Sequence, residues 1–216
     1  MTIKEYLVDP SVLDGEVVVT ALIAQEQPVV RTKATWFHPQ GGGQKADRGK
    51  IGAAAVSNVR HVEGGEVDHF VAAFDGLVVG ERYPFHIDPD WRRLNARYHS
   101  AGHLIASVCE RAVPGVVATN GHQWPGEARV EFGGTGLEGL VSDLPALEAH
   151  IKNAIDKNLA VCIVGDPFLS RAIKMGDYAP IPCGGTHVTS TREIGGVRLR
   201  SAKIKGGIAR LGYELL

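Results

Sequence analysis

Two pairs of side chains in this 216-residue chain have the types and spacing to hold a metal ion: His99-Ser-Ala-Gly-His103 and Cys183-Gly-Gly-Thr-His187. Four residues along a helix turn about 40° and rise about 6 Å, so both imidazoles of the first pair can address one point. Three imidazole nitrogens and one thiolate suit a borderline-soft tetrahedral ion, with zinc the first choice. Either pair alone is more often a surface or core pair than a ligand set, and only their conjunction points to a metal site. The glycines between Cys183 and His187 fit a tight loop rather than a packed element. A rival use of the second pair is a Cys183–His187 nucleophilic dyad, which gives the first two histidines no purpose.

A third motif, His38-Pro-Gln-Gly41-Gly42-Gly43-Gln44, precedes both pairs. Three consecutive glycines cost chain entropy and imply positive φ or a close backbone approach, for which a phosphate or ribose is one candidate. The run is neither a Walker loop nor a dinucleotide fingerprint, since both spacings are absent. An ordinary hairpin loop is the plain alternative.

The elements that must position these residues follow from the pattern. Asp88 and Pro89 cap a helix whose apolar stripe runs through Trp91, Leu94, Tyr98, Ala101, Ile105, Val108 and Ala112 to a stop at Val113-Pro114-Gly115. His99 and His103 lie beside that stripe with Asn95, Ala96, Gly102, Ala106 and Glu110; the small residues predict a close approach by another backbone. Before residue 88 the chain reads as strands over 16–24, 29–36, 50–62, 67–72 and 78–87, with a turn at Gly64-Gly65, which predicts a small β-barrel. After it come the histidine helix, a strand over 128–132, a helix over 145–159, and strands over 161–164, 197–205 and 208–215. The fold class is therefore α+β: a barrel domain over 1–88, carrying the glycine loop, then a domain over 89–216 with helices packed on an antiparallel sheet.

Composition sets the outer limits. With 44% hydrophobic and 22% charged residues, the chain has the material for an ordinary core. Net charge is −1, which gives no general electrostatic pull on nucleic acid and requires any such partner to meet a local patch. Arg198 and Arg200 on one strand and Arg92, Arg93 and Arg97 on the histidine helix are the candidates. Three widely spaced cysteines exclude a disulfide framework, and Cys109 and Cys162 read as buried thiols. No apolar run is long enough to span a membrane, no leader pattern opens the chain, and nothing suggests an obligate protein partner; the expected location is the cytoplasm.

In order and spacing, the glycine loop with Gln44, the HSAGH helix and the CGGTH loop resemble the free-standing alanyl-tRNA editing proteins, relatives of the editing domain of alanyl-tRNA synthetase. The resemblance covers essentially the whole chain. It implies a zinc-containing deacylase acting on the acceptor end of mischarged tRNA(Ala), chiefly the seryl ester and more slowly the glycyl. His99, His103, Cys183 and His187 would be the metal ligands, Gln44 would reach into the same pocket as a catalytic residue, and Gly42, Gly43, Thr119 and Asn120 would meet the substrate. Zinc can acidify a water and polarise a carbonyl, yet four protein ligands close a tetrahedral site. Either one ligand yields, or the shell expands, or the metal orders the pocket while Gln44 and backbone donors hold the water. Other readings stay open: a threonyl or threonine-analogue tRNA deacylase, a metallohydrolase of another ester or amide, and a zinc-stabilised RNA-binding module without catalysis.

Overall fold

Alternating burial in the first half of the chain closes a sheet on itself. The computed structural model describes all 216 residues. Its first elements are β1 (Ile3–Lys4), β2 (Asp14–Ile23), β3 (Val29–Thr32), β4 (Ala34–Thr35), β5 (Gly49–Ile51), β6 (Ala54–His61), β7 (Val67–Val71) and β8 (Arg82–Ile87). Six of them form a closed antiparallel barrel in the order β2-β3-β7-β6-β5-β8, while β1 and β4 make a short parallel pair. Every second side chain turns inward, so Val17, Val19, Val30, Ile51, Val56, Val59, Phe85 and Ile87 fill the interior with Phe37. The stretch 50–62 is two strands with a turn between them, because Gly52 takes φ +57° and β5 pairs back onto β6. The strand expected from residue 78 begins only at Arg82, since Val78 and Val79 are exposed in a turn.

Helix α1 (Pro89–Ala112) follows, and its start is as the sequence requires: the Asp88 carboxylate accepts from the Trp91 amide at 3.0 Å with Pro89 at the first helical position. The chain then runs through β9 (Val116–His122), β10 (Arg129–Gly134), α2 (Leu137–Ser142), α3 (Leu144–Asp156), β11 (Val161–Val164), β12 (Ala172–Met175), β13 (Ile181–Pro182), β14 (Val197–Lys205) and β15 (Ile208–Leu215). Strands β14-β15-β10-β9 form one antiparallel sheet and β11-β12-β13 another. One face of the larger sheet is apolar, with Val130, Phe132, Leu199, Leu211 and Tyr213 buried, and helices cover it: the Tyr213 hydroxyl donates to the Tyr98 carbonyl of α1 at 2.7 Å. The class is α+β.

By contact density the chain divides into two compact units, one comprising 1–41 with 45–94 and the other 42–44 with 95–216. Three residues of the glycine loop, Gly42 to Gln44, thus belong to the second unit. No helix is long and apolar enough to cross a membrane. Of the sulfur groups, Cys109 is buried, its thiol pushed up to about 12 by burial. Cys162 is exposed, because β11 has little cover on that side and its apolar run encodes a strand rather than a core position.

Candidate metal centre and its cleft

His99 and His103 leave α1 one turn apart, and the loop after β13 brings Cys183 and His187 to meet them. One ligand atom from each of the four residues lies within 4.8 Å of the others. The three imidazole rings have centroids 4.5–4.9 Å apart. Sγ of Cys183 stands 3.5 Å from Nε2 of His99 and 3.3 Å from Nε2 of His187. Metal–ligand bonds of about 2.0–2.3 Å put the corners of a tetrahedron roughly 3.3–3.8 Å apart, so this spacing fits zinc.

The outward-facing ring nitrogens of His99 and His187 are each held by a side chain, and the Gln44 amide oxygen sets the tautomer of His99. Nδ1 of His99 lies 2.7 Å from Oε1 of Gln44, and Nδ1 of His187 lies 3.0 Å from Oγ of Ser100. With Nδ1 of His99 donating to the Gln44 amide oxygen, its Nε2 lone pair faces Cys183, and the Ser100 hydroxyl can accept from Nδ1 of His187 in the same way. Nδ1 of His103 is buried with no hydrogen-bond partner. Burial lowers the His103 imidazole to about 4, with Arg171 adding to the effect, so the ring is neutral at physiological pH as a ligand must be. Burial raises the Cys183 thiol, opposed by the Gly185 amide at 3.2 Å from Sγ and by Arg171. A thiolate here calls for more positive charge than Arg171 supplies, which a divalent cation would bring. The donor set therefore fits zinc on tautomers, spacing and charge.

Gln44 has a different place from the one its loop suggests. It is 1% exposed, and its Oε1 accepts from the Thr186 amide at 2.9 Å as well as from His99, while Nε2 donates to the Thr186 hydroxyl at 2.8 Å. An amide so committed holds His99 and the CGGTH loop together. Gly185 is glycine because a Cβ there would lie 2.2 Å from the His99 ring and 2.8 Å from Gln44 Oε1. Gly43, at φ +78°, would place a Cβ 2.4 Å from the Gly121 carbonyl, and its own carbonyl accepts from the Gln123 amide at 2.8 Å. The glycine loop thus lies backbone to backbone against the end of β9.

These contacts wall a cleft of about 520 Å³ beside the four ligands. Gly42, Gly43, Thr119 and Asn120, the expected substrate-contacting residues, all line it, with His99 and His103. The Thr119 hydroxyl donates to the Glu131 carbonyl at 3.2 Å, which leaves its lone pairs for an incoming donor. Asn120 Oδ1 accepts from the Gly121 amide at 2.9 Å. Sequence reasoning missed Gln123 and Ser100, and placed Glu110 on the histidine face without giving it a role. Gln123 is buried against Gly102 and held by the Tyr213 hydroxyl, so the small helix face clears a side chain rather than a backbone. Glu110 is the carboxylate of the cleft and accepts from the Ala118 amide at 2.7 Å. Ser100 lies inside the HSAGH motif, but its partner is His187, 87 residues on, so no local spacing signals its role. Of the helix arginines, Arg92 is buried in a bidentate pair with Asp47, and Arg97 donates to the Ile194 carbonyl; both serve the fold.

Convergent imidazoles and a thiol beside a helix-backed antiparallel sheet make a candidate metal centre. A family model described as the threonyl and alanyl tRNA synthetase second additional domain matches residues 170–211, which include Cys183 and His187. The chain is 33% identical over 192 residues to the alanyl-tRNA editing protein AlaX-M of Pyrococcus horikoshii, with 82% of each chain covered. It is also 33% identical over 220 residues to the alanine–tRNA ligase of Carboxydothermus hydrogenoformans, over 89% of this chain and 25% of the ligase. A second ligase, from Parafrankia, is 30% identical over 89% of this chain and 24% of its own. The chain spans about a quarter of the length of these ligases. It belongs to the AlaX-type alanyl-tRNA editing proteins.

Proposed function

We propose that this chain is a zinc-dependent deacylase that hydrolyses the aminoacyl ester of mischarged tRNA(Ala) in trans, the seryl ester chiefly and the glycyl ester more slowly. The observation that carries the reading is the convergence of His99, His103, Cys183 and His187 beside a cleft lined by Thr119 and Asn120, in a chain of an alanyl-tRNA editing family.

In the reaction, the ester bond between the amino acid and the terminal ribose breaks, water supplies a hydroxyl to the carbonyl carbon, and the ribose oxygen takes up a proton. A zinc ion held by the four ligands would supply a Lewis acid to the carbonyl and lower the pKa of a water. Gln44 and Ser100 act through His99 and His187, keeping each Nε2 turned inward and removing the cost of reorganisation at the moment of reaction. The glycine-loop backbone closes the cleft against β9 and restricts solvent. Thr119 is the candidate for reading the serine hydroxyl, since its hydroxyl already donates elsewhere and can only accept. A site built to pair a hydroxyl rejects alanine, which lacks it, more strongly than an apolar pocket can.

The test is a deacylation assay with seryl-, glycyl-, alanyl- and threonyl-tRNA and zinc-loaded protein. Rapid loss of the seryl ester with the alanyl ester spared is the expected result. Equal rates for seryl- and alanyl-tRNA(Ala) would overturn the editing reading, and turnover of the threonyl ester alone would move the substrate to another tRNA.

A further inference from the structure

The sheet face opposite the helices is basic, and one of its cross-strand rows starts at the metal cleft. Arg200, Lys203 and Lys205 of β14, Arg210 of β15 and Arg129 of β10 line a second cleft of about 280 Å³, with Glu127 on its rim. Register pairs Lys203 with Arg210, Arg210 with Glu131, and Glu131 with Asn120, which lines the metal cleft. At about 4.8 Å between strands that row is roughly 14 Å long and crosses all four strands. Five cations thus share a face with Glu127 and Glu131 in a chain whose net charge is −1. Glu131 takes Arg210 at 2.8 Å and Arg129 at 3.4 Å, while Arg200, Lys203 and Lys205 pair with no carboxylate. Arg200 is aimed along the face by bonds to the Gly126 and Ala128 carbonyls.

Lysines on an outer strand also guard against edge pairing, and β14 is an outer strand. That need is met by β14 alone. It does not call for Arg210 and Arg129 on the two inner strands, nor for a charge gradient running from cations at one end to an acid beside the cleft. A polyanion that ends at the cleft accounts for both.

We propose that this face binds the sugar–phosphate backbone of the RNA strand whose aminoacylated 3′ end enters the metal cleft. The proposal rests on the deacylase reading for the choice of RNA over another polyanion. Phosphates lie over Arg200, Lys203, Lys205 and Arg210, and the Glu131 carboxylate repels phosphate at the point where the aminoacyl end, carrying an ammonium, takes over.

The experiment compares the full chain with Lys203→Glu/Lys205→Glu, with the milder Lys203→Gln/Lys205→Gln, and with Lys33→Glu/Lys50→Glu, which makes the same charge change on exposed residues of the barrel unit. Binding of uncharged tRNA(Ala) is read by fluorescence anisotropy across a salt series, and zinc content and seryl-tRNA turnover are measured beside it. The β14 reversal is expected to weaken tRNA binding at least tenfold at about 0.1 M salt and to flatten the log–log salt slope by about one to two, with the glutamine pair intermediate. KM for seryl-tRNA should rise at nearly constant kcat, and zinc content should not change. An unchanged salt slope in both β14 variants, or an equal loss in the barrel control, overturns the proposal. If wild-type protein fails to deacylate any ester while the β14 variants still lose tRNA, the deacylase reading fails and the RNA-binding face stands.

Discussion

Each compact unit buries a histidine whose ring is hydrogen-bonded, His69 in one and His99 in the other, and the two are used in opposite ways. In the barrel unit, His69 is 0% exposed with both ring nitrogens occupied, Nε2 with the Thr35 hydroxyl at 2.7 Å and Nδ1 with the Val30 carbonyl at 3.0 Å. In the second unit, His99 and His187 each commit one nitrogen to a neighbour and turn the other toward Cys183. Acidity does not separate the two cases, because burial lowers His69 and His103 alike to about 4. What separates them is the second nitrogen. A histidine satisfied at both is part of a core; several held at one and convergent at the other are a binding site.

Removing convergence should have the largest consequence. Purified protein is expected to hold close to one zinc per chain, and His99→Ala/Cys183→Ala to hold none and deacylate at background, as elemental analysis and the seryl-tRNA assay would report. Full zinc retention in that double variant would remove the distinction between the two kinds of histidine.

For the barrel histidine the expected effect is on stability. Its folded value, about 4, lies below the ordinary 6.5, so the unfolded chain binds more protons between those limits. Stability contributed by neutral His69 is present above about pH 6.5 and is lost as pH falls toward 4, by on the order of 3 kcal/mol. Denaturant titrations at pH 7 and pH 4.5 should show a smaller acid loss in His69→Gln than in wild type, with zinc content at pH 7 unaltered in the variant. An identical acid loss would mean that other groups carry it.

Gln44→Ala removes the acceptor at His99 Nδ1 together with both bonds to Thr186. Without the acceptor at Nδ1, zinc affinity or turnover should fall about 10- to 100-fold while the fold persists, and Gln44→Glu, which keeps an acceptor, should recover part of it. Chelator competition separates affinity from turnover; wild-type values in both would reduce the loop to a hairpin.

Smallest is the effect of Thr119→Val, which keeps shape and removes an acceptor. The seryl-over-alanyl preference should narrow several-fold, the scale of one neutral hydrogen bond, with zinc content unchanged. A preserved preference would assign hydroxyl reading to another cleft residue.

Local signals in the sequence carried as far as the elements and the four ligand types. The Asp88 cap, the apolar period of α1 and the alternation of β2 and β15 are set by interactions within a few residues, and so is the spacing that puts His99 and His103 on one helix face. Strands β12 and β13 are short, and β9 mixes Gly and Asn into an exposed edge, so their identity comes from the partners they pair with and not from their own pattern. Tertiary structure alone decided the rest. Arg92 became a buried partner of Asp47, and Gln44 became the anchor of His99 rather than a group facing solvent, because each lies far along the chain from the residue that fixes its environment. Residue type limits what a side chain can do, but its hydrogen-bond partners and its solvent are chosen by segments that approach from elsewhere.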